Sequence, residues 1–275
     1  TQLRLDANGG QLSLNGDIDL LDFSANLNGN WQQLSWPVIS NAPEYVSPEG
    51  EIHFRGKAED FFLTLSTRLD GSLLQPMQAD LEANGSQEQI SLKTLSLKAE
   101  RSDTRLEAHG DINLKKQKFE LQGDWQSLNW PMQGKAEFSS PNGQFDAKGT
   151  FDDYAFNANA ALEGREIPQG TWTIEGAGDS NQLDKISLKG QTLGGDITVD
   201  GTAAWAPETN WDISASAMQI NPGIHWKELP GSLNLKIASQ GKLTEQGPVL
   251  KAEIRVLDGV LKGKPVAGQR DVQVK

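Results

Sequence analysis

The segment Leu12-Ser-Leu-Asn-Gly-Asp-Ile-Asp-Leu20 puts apolar side chains at 12, 14, 18 and 20, polar ones between them, and glycine in the remaining apolar slot. Alternation of period two makes a strand with one apolar face. The pattern returns around Gly56 (Ile52, Phe54, Ala58), Gly110 (Leu106, Ala108, Ile112, Leu114) and Gly149 (Phe145, Ala147, Phe151). It returns again around Gly201 (Ile197, Val199, Ala203, Trp205) and more loosely around Gly241 (Leu235, Ile237, Leu243). Gly16 to Gly110, Gly56 to Gly149, Gly110 to Gly201 and Gly149 to Gly241 are intervals of 94, 93, 91 and 92 residues. The chain therefore reads as a tandem array with a period of about ninety residues, in approximate units 1–104, 105–195 and 196–275.

Two readings account for the glycines. Asn15-Gly16 and Asp200-Gly201 fit two-residue hairpin turns. Arg55-Gly56, His109-Gly110, Lys148-Gly149 and Gln240-Gly241 do not, and the alternation mostly keeps its phase through the glycine. The preferred reading is a long strand that bends at Gly16, Gly56, Gly110, Gly149, Gly201 and Gly241, where a side chain would crowd the concave face.

Strand-like runs follow one another almost without interruption, and no stretch keeps helical apolar spacing over three turns. Asn28-Gly29, Asp70-Gly71, Asn84-Gly85 and Asp258-Gly259 read as short connections of the kind antiparallel neighbours use. The expected fold class is an all-β antiparallel meander, forming a single elongated repeat domain over 1–275. An apolar sheet face is normally covered by a second layer, and no helix is on offer. The sheet then folds on itself as a dry sandwich or as a trough. The row of inward glycines favours the trough.

A second repeated element is Asn30-Trp-Gln-Gln-Leu-Ser-Trp-Pro37 and Asp124-Trp-Gln-Ser-Leu-Asn-Trp-Pro131. Proline ends a ladder, so these segments are expected at a sheet edge or in an inter-strand loop. The tryptophans either staple a loop to the rim or form a sugar-stacking or lipid-interface site.

Composition narrows the function. Net charge is −12, which disfavours nucleic acid as a partner. There are no cysteines, which removes disulfides and thiol chemistry. No apolar run approaches the ~18 residues of a membrane-spanning helix. Strand alternation is already under way at Thr1-Gln-Leu-Arg-Leu5 and persists to Val272-Gln-Val274, so a fragment of a longer chain is expected. His53, His109 and His225 are far apart, without metal-ligand spacing. Gly176-Ala-Gly178 lacks the third glycine of a dinucleotide fingerprint. Asp152 and Asp153 are adjacent in an extended segment and point to opposite faces. No catalytic residue, metal site or cofactor is expected, and the chain does not read as an enzyme.

The ordered series Asp124-Trp-Gln-Ser-Leu-Asn-Trp-Pro131, Ser140-Pro-Asn-Gly143, Phe145-Asp-Ala-Lys-Gly-Thr-Phe-Asp-Asp-Tyr154, Leu162-Glu-Gly164, Ile167-Pro168 and Ile174-Glu-Gly-Ala-Gly178 continues to Leu193-Gly-Gly195, Trp205-Ala-Pro207, Trp211-Asp-Ile-Ser214, Ile220-Asn-Pro-Gly223 and Trp226-Lys-Glu-Leu-Pro-Gly231. This run resembles the TamB family, the inner-membrane-anchored subunits of the translocation and assembly module, within the wider AsmA-like group. The likeness is strongest over 120–245. It implies a β-taco in the periplasm of a Gram-negative bacterium, polar outside and hydrophobic within, whose parent is anchored in the inner membrane. It also implies movement of phospholipid toward the outer membrane and, through the parent protein, work with an outer-membrane barrel subunit of TamA type. Under that resemblance the groove-lining residues are Leu12, Leu14, Ile52, Phe54, Leu106, Ile112, Phe145, Ile174, Leu188, Val199, Ile213, Leu235 and Ile237. Their partners are phospholipid acyl chains, with a phospholipid or other amphiphile as the bound material. Cut sheet edges would make the fragment self-associate edge to edge. The alternative is a β-rich adhesin or surface repeat protein with a dry core.

Overall fold

A computed structural model describes residues 2–7, 10–36, 44–71, 74–150, 152–244 and 247–274. Pro37 and Phe151 lie outside the described residues. The described chain is antiparallel β-structure, with one short 3-10 turn at Pro222–Ile224 and no α-helix. It divides into two compact halves, Thr1–Gln144 and Phe145–Lys275.

The first half opens with β1 (Gln2–Ala7), β2 (Gly10–Asp19), β3 (Ser24–Trp36), β4 (Tyr45–Lys57) and β5 (Asp60–Gly71). It goes on through β6 (Met77–Gly85), β7 (Gln89–Ala99), β8 (Arg105–Asn113) and β9 (Lys118–Trp130) to the start of β10 (Phe138–Thr150). Each strand from β1 to β9 pairs antiparallel with the next. The second half takes the end of β10, then β11 (Asp153–Gly164), β12 (Gly170–Gly178), β13 (Gln182–Thr192), β14 (Gly195–Ala204), β15 (Asn210–Ile220) and β16 (Gly231–Thr244). It closes with β17 (Gly247–Leu261), the two-residue β18 (Lys264–Pro265) and β19 (Gly268–Val274), both paired with β17.

The strands themselves recur. β4 and β10, β5 and β11, β6 and β12, and β7 and β13 have matching lengths and are displaced by 93 residues. Backbone irregularities recur with them. Phe23 and Gln117 have φ of 57° and 52°, and Gln33 and Ser127 have 52° and 50°. A left-handed residue inside a strand is a bulge that interrupts the alternation.

That interruption overturns one expectation. The Trp31 and Trp125 segments are not edge loops but the interiors of β3 and β9, which run on to Trp36 and Trp130. The period-two pattern stops at the bulge although the strand does not. Asn28-Gly29 and Asp258-Gly259 likewise lie within β3 and β17 rather than in connections. Gly29 is small for a packing reason, because a Cβ there would come within 2.6 Å of both Leu14 and Ile52. Asp70-Gly71 and Asn84-Gly85 do end their strands.

Within each half, strands contact their ladder neighbours, and among the described residues no second layer lies over the sheet. Full burial is accordingly rare. Apart from glycine and proline, only nine apolar residues among those described are buried, and five of them are alanine. In the second half the connection from β15 to β16 folds onto one end of the apolar face. There Trp226 packs with Ile197, Leu233 and Leu235 around Leu193, Ala217 and Ile220. Asn221 fixes this connection, its Oδ1 accepting the amides of Gly223 and Gly231 at 3.0 Å each.

Candidate functional site

Residues opposite each other in an antiparallel ladder share a face, so the registers assign every side chain to one side of the sheet. In the first half four parallel rows cross β2 to β9. One runs Leu12, Trp31, Gly50, Thr67, Ala79, Leu97, Leu106, Trp125. The next runs Leu14, Gly29, Ile52, Leu65, Leu81, Leu95, Ala108, Gly123. Gly16, Leu27, Phe54, Leu63, Ala83, Leu92, Gly110, Leu121 form the third. Ile18, Ala25, Gly56, Phe61, Gly85, Ile90, Ile112, Phe119 form the fourth. None of these positions carries a charge, and Thr67 alone is polar.

The second half repeats the arrangement. Ala158, Ile174, Leu188, Val199, Ala215, Ile237 and Ile254 make one row, and Ala160, Trp172, Gly190, Ile197, Ala217, Leu235 and Val256 the next. Phe156, Gly176, Ile186, Gly201, Ile213, Ser239 and Ala252 make a third. The one charge that reaches these rows is Arg270 on the edge strand β19, opposite Ile254.

Leu12, Leu14, Ile52, Phe54, Leu106 and Ile112 thus stand together on the apolar face of the first half. Ile174, Leu188, Val199, Ile213, Leu235 and Ile237 do so in the second, with Phe145 in the last part of β10. All thirteen are half-buried. A side chain in a closed core would be fully buried, and an isolated one on a flat surface would be exposed. Half-burial comes from shelter by neighbours on the same face and, for Leu235, also from Trp226 of the connection folded over that end.

The six glycines singled out by spacing sit inside strands, and they fall into two classes. At Gly16, Gly56, Gly110 and Gly149 φ is 153°, 128°, 151° and 139°. A Cβ there would meet a carbonyl oxygen of the neighbouring strand at 2.0–2.2 Å. Gly201 makes the same close approach, to Asp212 O at 2.2 Å. Gly241 is different, because the space its Cβ would take is filled by the Trp211 indole at 2.3 Å.

That second arrangement was not legible from spacing. Aromatic rings lie over cross-strand glycines: Trp31 over Gly50, Trp125 over Gly143, Phe156 over Gly176, Trp172 over Gly190 and Trp211 over Gly241. A ring covering a glycine replaces the missing side chain and protects the backbone. In three of the four tryptophan pairs the indole N–H is satisfied by a serine on the glycine's strand, whereas Trp172 Nε1 is buried without a hydrogen-bond partner. Trp31 Nε1 donates to Ser47 Oγ at 2.6 Å, Trp125 Nε1 to Ser140 Oγ at 2.8 Å and Trp211 Nε1 to Ser239 Oγ at 3.1 Å. Ser-Pro-Glu-Gly50 and Ser-Pro-Asn-Gly143 are the visible trace of this pairing in the sequence.

The opposite face carries the charge. Glu51, His53, Arg55, Lys189, Asp200 and Asp212 are exposed on it, and His109 lies there opposite Gln122. Asp80 is the one part-buried carboxylate whose acidity is clearly displaced. Ser66 Oγ and Gln78 Nε2 donate to its Oδ1 at 2.7 and 3.0 Å, and these hydrogen bonds hold its carboxyl below the usual range. Among the described residues no group of three or more histidines or carboxylates is placed to hold a metal ion. No helix among them is long and apolar enough to cross a membrane. The two faces differ in what they can bind: one offers hydrocarbon contact across many strands, the other ordinary hydration.

Over residues 1–117, and again over residues 101–275, the sequence matches the family model described as TamB, N-terminal domain. No solved structure matches the chain.

Proposed function

The chain belongs to the TamB family, and on that premise we propose that its apolar face is the wall of a hydrophobic groove that conducts phospholipid between the inner and outer membranes. The observation that carries this reading is the set of rows without charge running from Leu12 to Trp125 across β2 to β9. An acyl chain can move along such rows without meeting an ion that must be desolvated, a step that costs several kcal/mol. The family belongs to the envelope of Gram-negative bacteria, and the groove is proposed to work in the periplasm, without enzymatic chemistry. In the parent protein it would act beside an outer-membrane barrel subunit of TamA type and support the assembly of outer-membrane proteins. Units 1–104, 105–195 and 196–275 are proposed as its modules, with the apolar face concave.

Glycine and aromatic placement fit this use. A concave wall crowds its inner side chains, and the rows alternate large side chains with Gly29, Gly50, Gly123, Gly176 and Gly190. The ring-over-glycine pairs keep that wall apolar and smooth, because each indole N–H of the Trp31, Trp125 and Trp211 pairs is satisfied by a serine.

The test is lipid content. Native mass spectrometry and solvent extraction of the purified chain are expected to find co-purifying phospholipid, or its uptake from mixed micelles. If the chain carries no amphiphile and takes none up after detergent exchange, the groove reading loses its main support.

A further inference from the structure

The turn between β2 and β3 is unlike any other among the described residues. Leu20, Leu21 and Phe23 are 75%, 93% and 76% exposed, and no other large apolar side chain among the described residues exceeds 53%. Solvated apolar groups of this size are unfavourable, and nothing in the sheet requires them here. The repeat supplies an internal comparison. The corresponding turn between β8 and β9 carries Leu114, Lys115, Lys116 and Gln117, with Lys115 paired to Glu88 at 2.8 Å. The same backbone is thus built with charged and polar residues where an apolar tip is not used.

Two aspartates shape the tip. Asp19 Oδ1 accepts the Leu21 amide at 2.8 Å, and Asp22 Oδ1 accepts the Ser24 amide at 3.0 Å. Phe23 is fixed at φ 57°, a conformation that bulky residues seldom adopt. A presented aromatic in a fixed backbone loses little entropy on docking, and apolar anchors of this kind dominate interface energies. Around the tip the charge is acidic. This turn, the β4–β5 turn beside it and the adjoining strand ends carry Asp17, Asp19, Asp22, Glu59 and Asp60 with Arg55 and Lys57, five acids against two bases.

We propose that this tip is a docking site for another protein, one that offers an apolar pocket bordered by lysine or arginine. The acidic border decides against the other occupant an exposed apolar tip could have. An anionic bilayer surface repels carboxylates and attracts polybasic segments, whereas a basic protein rim is drawn to them and set in register. The tip lies at the rim, just beyond the row that begins Ile18 and Ala25, and its docking does not depend on the groove reading.

The experiment uses the full-length parent protein in cells, with a photo-crosslinking amino acid at Leu21 and, as comparison, at Lys115. Leu21 touches little, so the probe leaves the fold alone. Expected is one discrete protein adduct from Leu21 and none from Lys115. Mass spectrometry should map it to an apolar surface flanked by basic residues. The pair Asp17→Lys and Asp60→Lys, which leaves both aspartate-held turns intact, should cut that adduct by about fivefold or more at unchanged protein abundance. The proposal is overturned by adducts to lipid alone, by no adduct, or by equal adducts from Lys115. A site on a second copy of this chain, or indifference to the charge reversal, overturns it equally.

Discussion

Replacing Gly149 tests why glycine stands in these strands. A Cβ at this position would lie 2.2 Å from Asp153 O and 2.6 Å from Tyr154 Cα, both backbone atoms of the paired strand. Its φ of 139° is a further obstacle to any L side chain. Holding a residue in that region costs about 1–3 kcal/mol, and prising the strands apart adds about 1–3 kcal/mol more. Gly149→Ala is therefore expected to lose roughly 2–6 kcal/mol. Gly149→Asn should do no better, because asparagine's tolerance of positive φ is centred near +57°, not +139°. Gly134 is the control, with φ 82° and nothing within 4 Å of the place a methyl group would take, so Gly134→Ala should cost only about 1–2 kcal/mol. Urea unfolding followed by tryptophan fluorescence gives the stabilities, and hydrogen exchange at the Asp153 and Tyr154 amides localises the loss. If Gly149→Asn stays within about 0.5 kcal/mol of wild type, or Gly134→Ala is as harmful as Gly149→Ala, the close-approach argument is wrong.

Three further outcomes are expected. In the parent protein Ile213→Asp should leave the chain folded and present on an immunoblot but abolish function, read as outer-membrane integrity, while Asp212→Ser on the opposite face has little effect; disappearance of the protein would instead indicate a closed dry core. Trp31→Phe removes the bond to Ser47 while keeping a ring over Gly50, and should cost about 1 kcal/mol, against about 3–5 kcal/mol for Trp31→Ala, measured by urea titration. Asp80 has a folded-state pKa below its unfolded value, so its contribution is present above about pH 4 and is lost as pH falls through the lower folded value. Asp80→Asn should consequently show a smaller stability difference between neutral and acid pH than wild type, and an unchanged difference would remove the hydrogen-bond explanation.

The all-β antiparallel class was readable because nearly every strand keeps one apolar face, and alternation records that directly. The rows were readable for the same reason: Leu12, Ile52 or Val199 needs only its phase to be assigned. Bulged segments were not, since Gln33 and Ser127 shift the phase within an unbroken strand and make Trp31 and Trp125 look like loop residues. The glycines show a second limit. Spacing marks where a side chain is missing, but backbone approach at Gly110 and an overlying ring at Gly241 leave the same letter. Which of the two applies depends on the neighbouring strand, and register is not written in local sequence. The exposed tip at Leu21 has no periodic signal at all and stands out only against its charged counterpart at Lys115.

The repeat from β2 to β7 contains six strands, an even number. The strand after it therefore starts at the same rim, runs in the same direction and puts its apolar side chains on the same face as the strand that began it. Whole repeats can be gained or lost by duplication or deletion without inverting anything downstream, whereas loss of one strand would reverse every later one. At about 4.8 Å per strand, six strands advance the sheet by about 29 Å. Each added repeat then lengthens the sheet by one fixed increment, and its bulges and ring-covered glycines arrive already in phase.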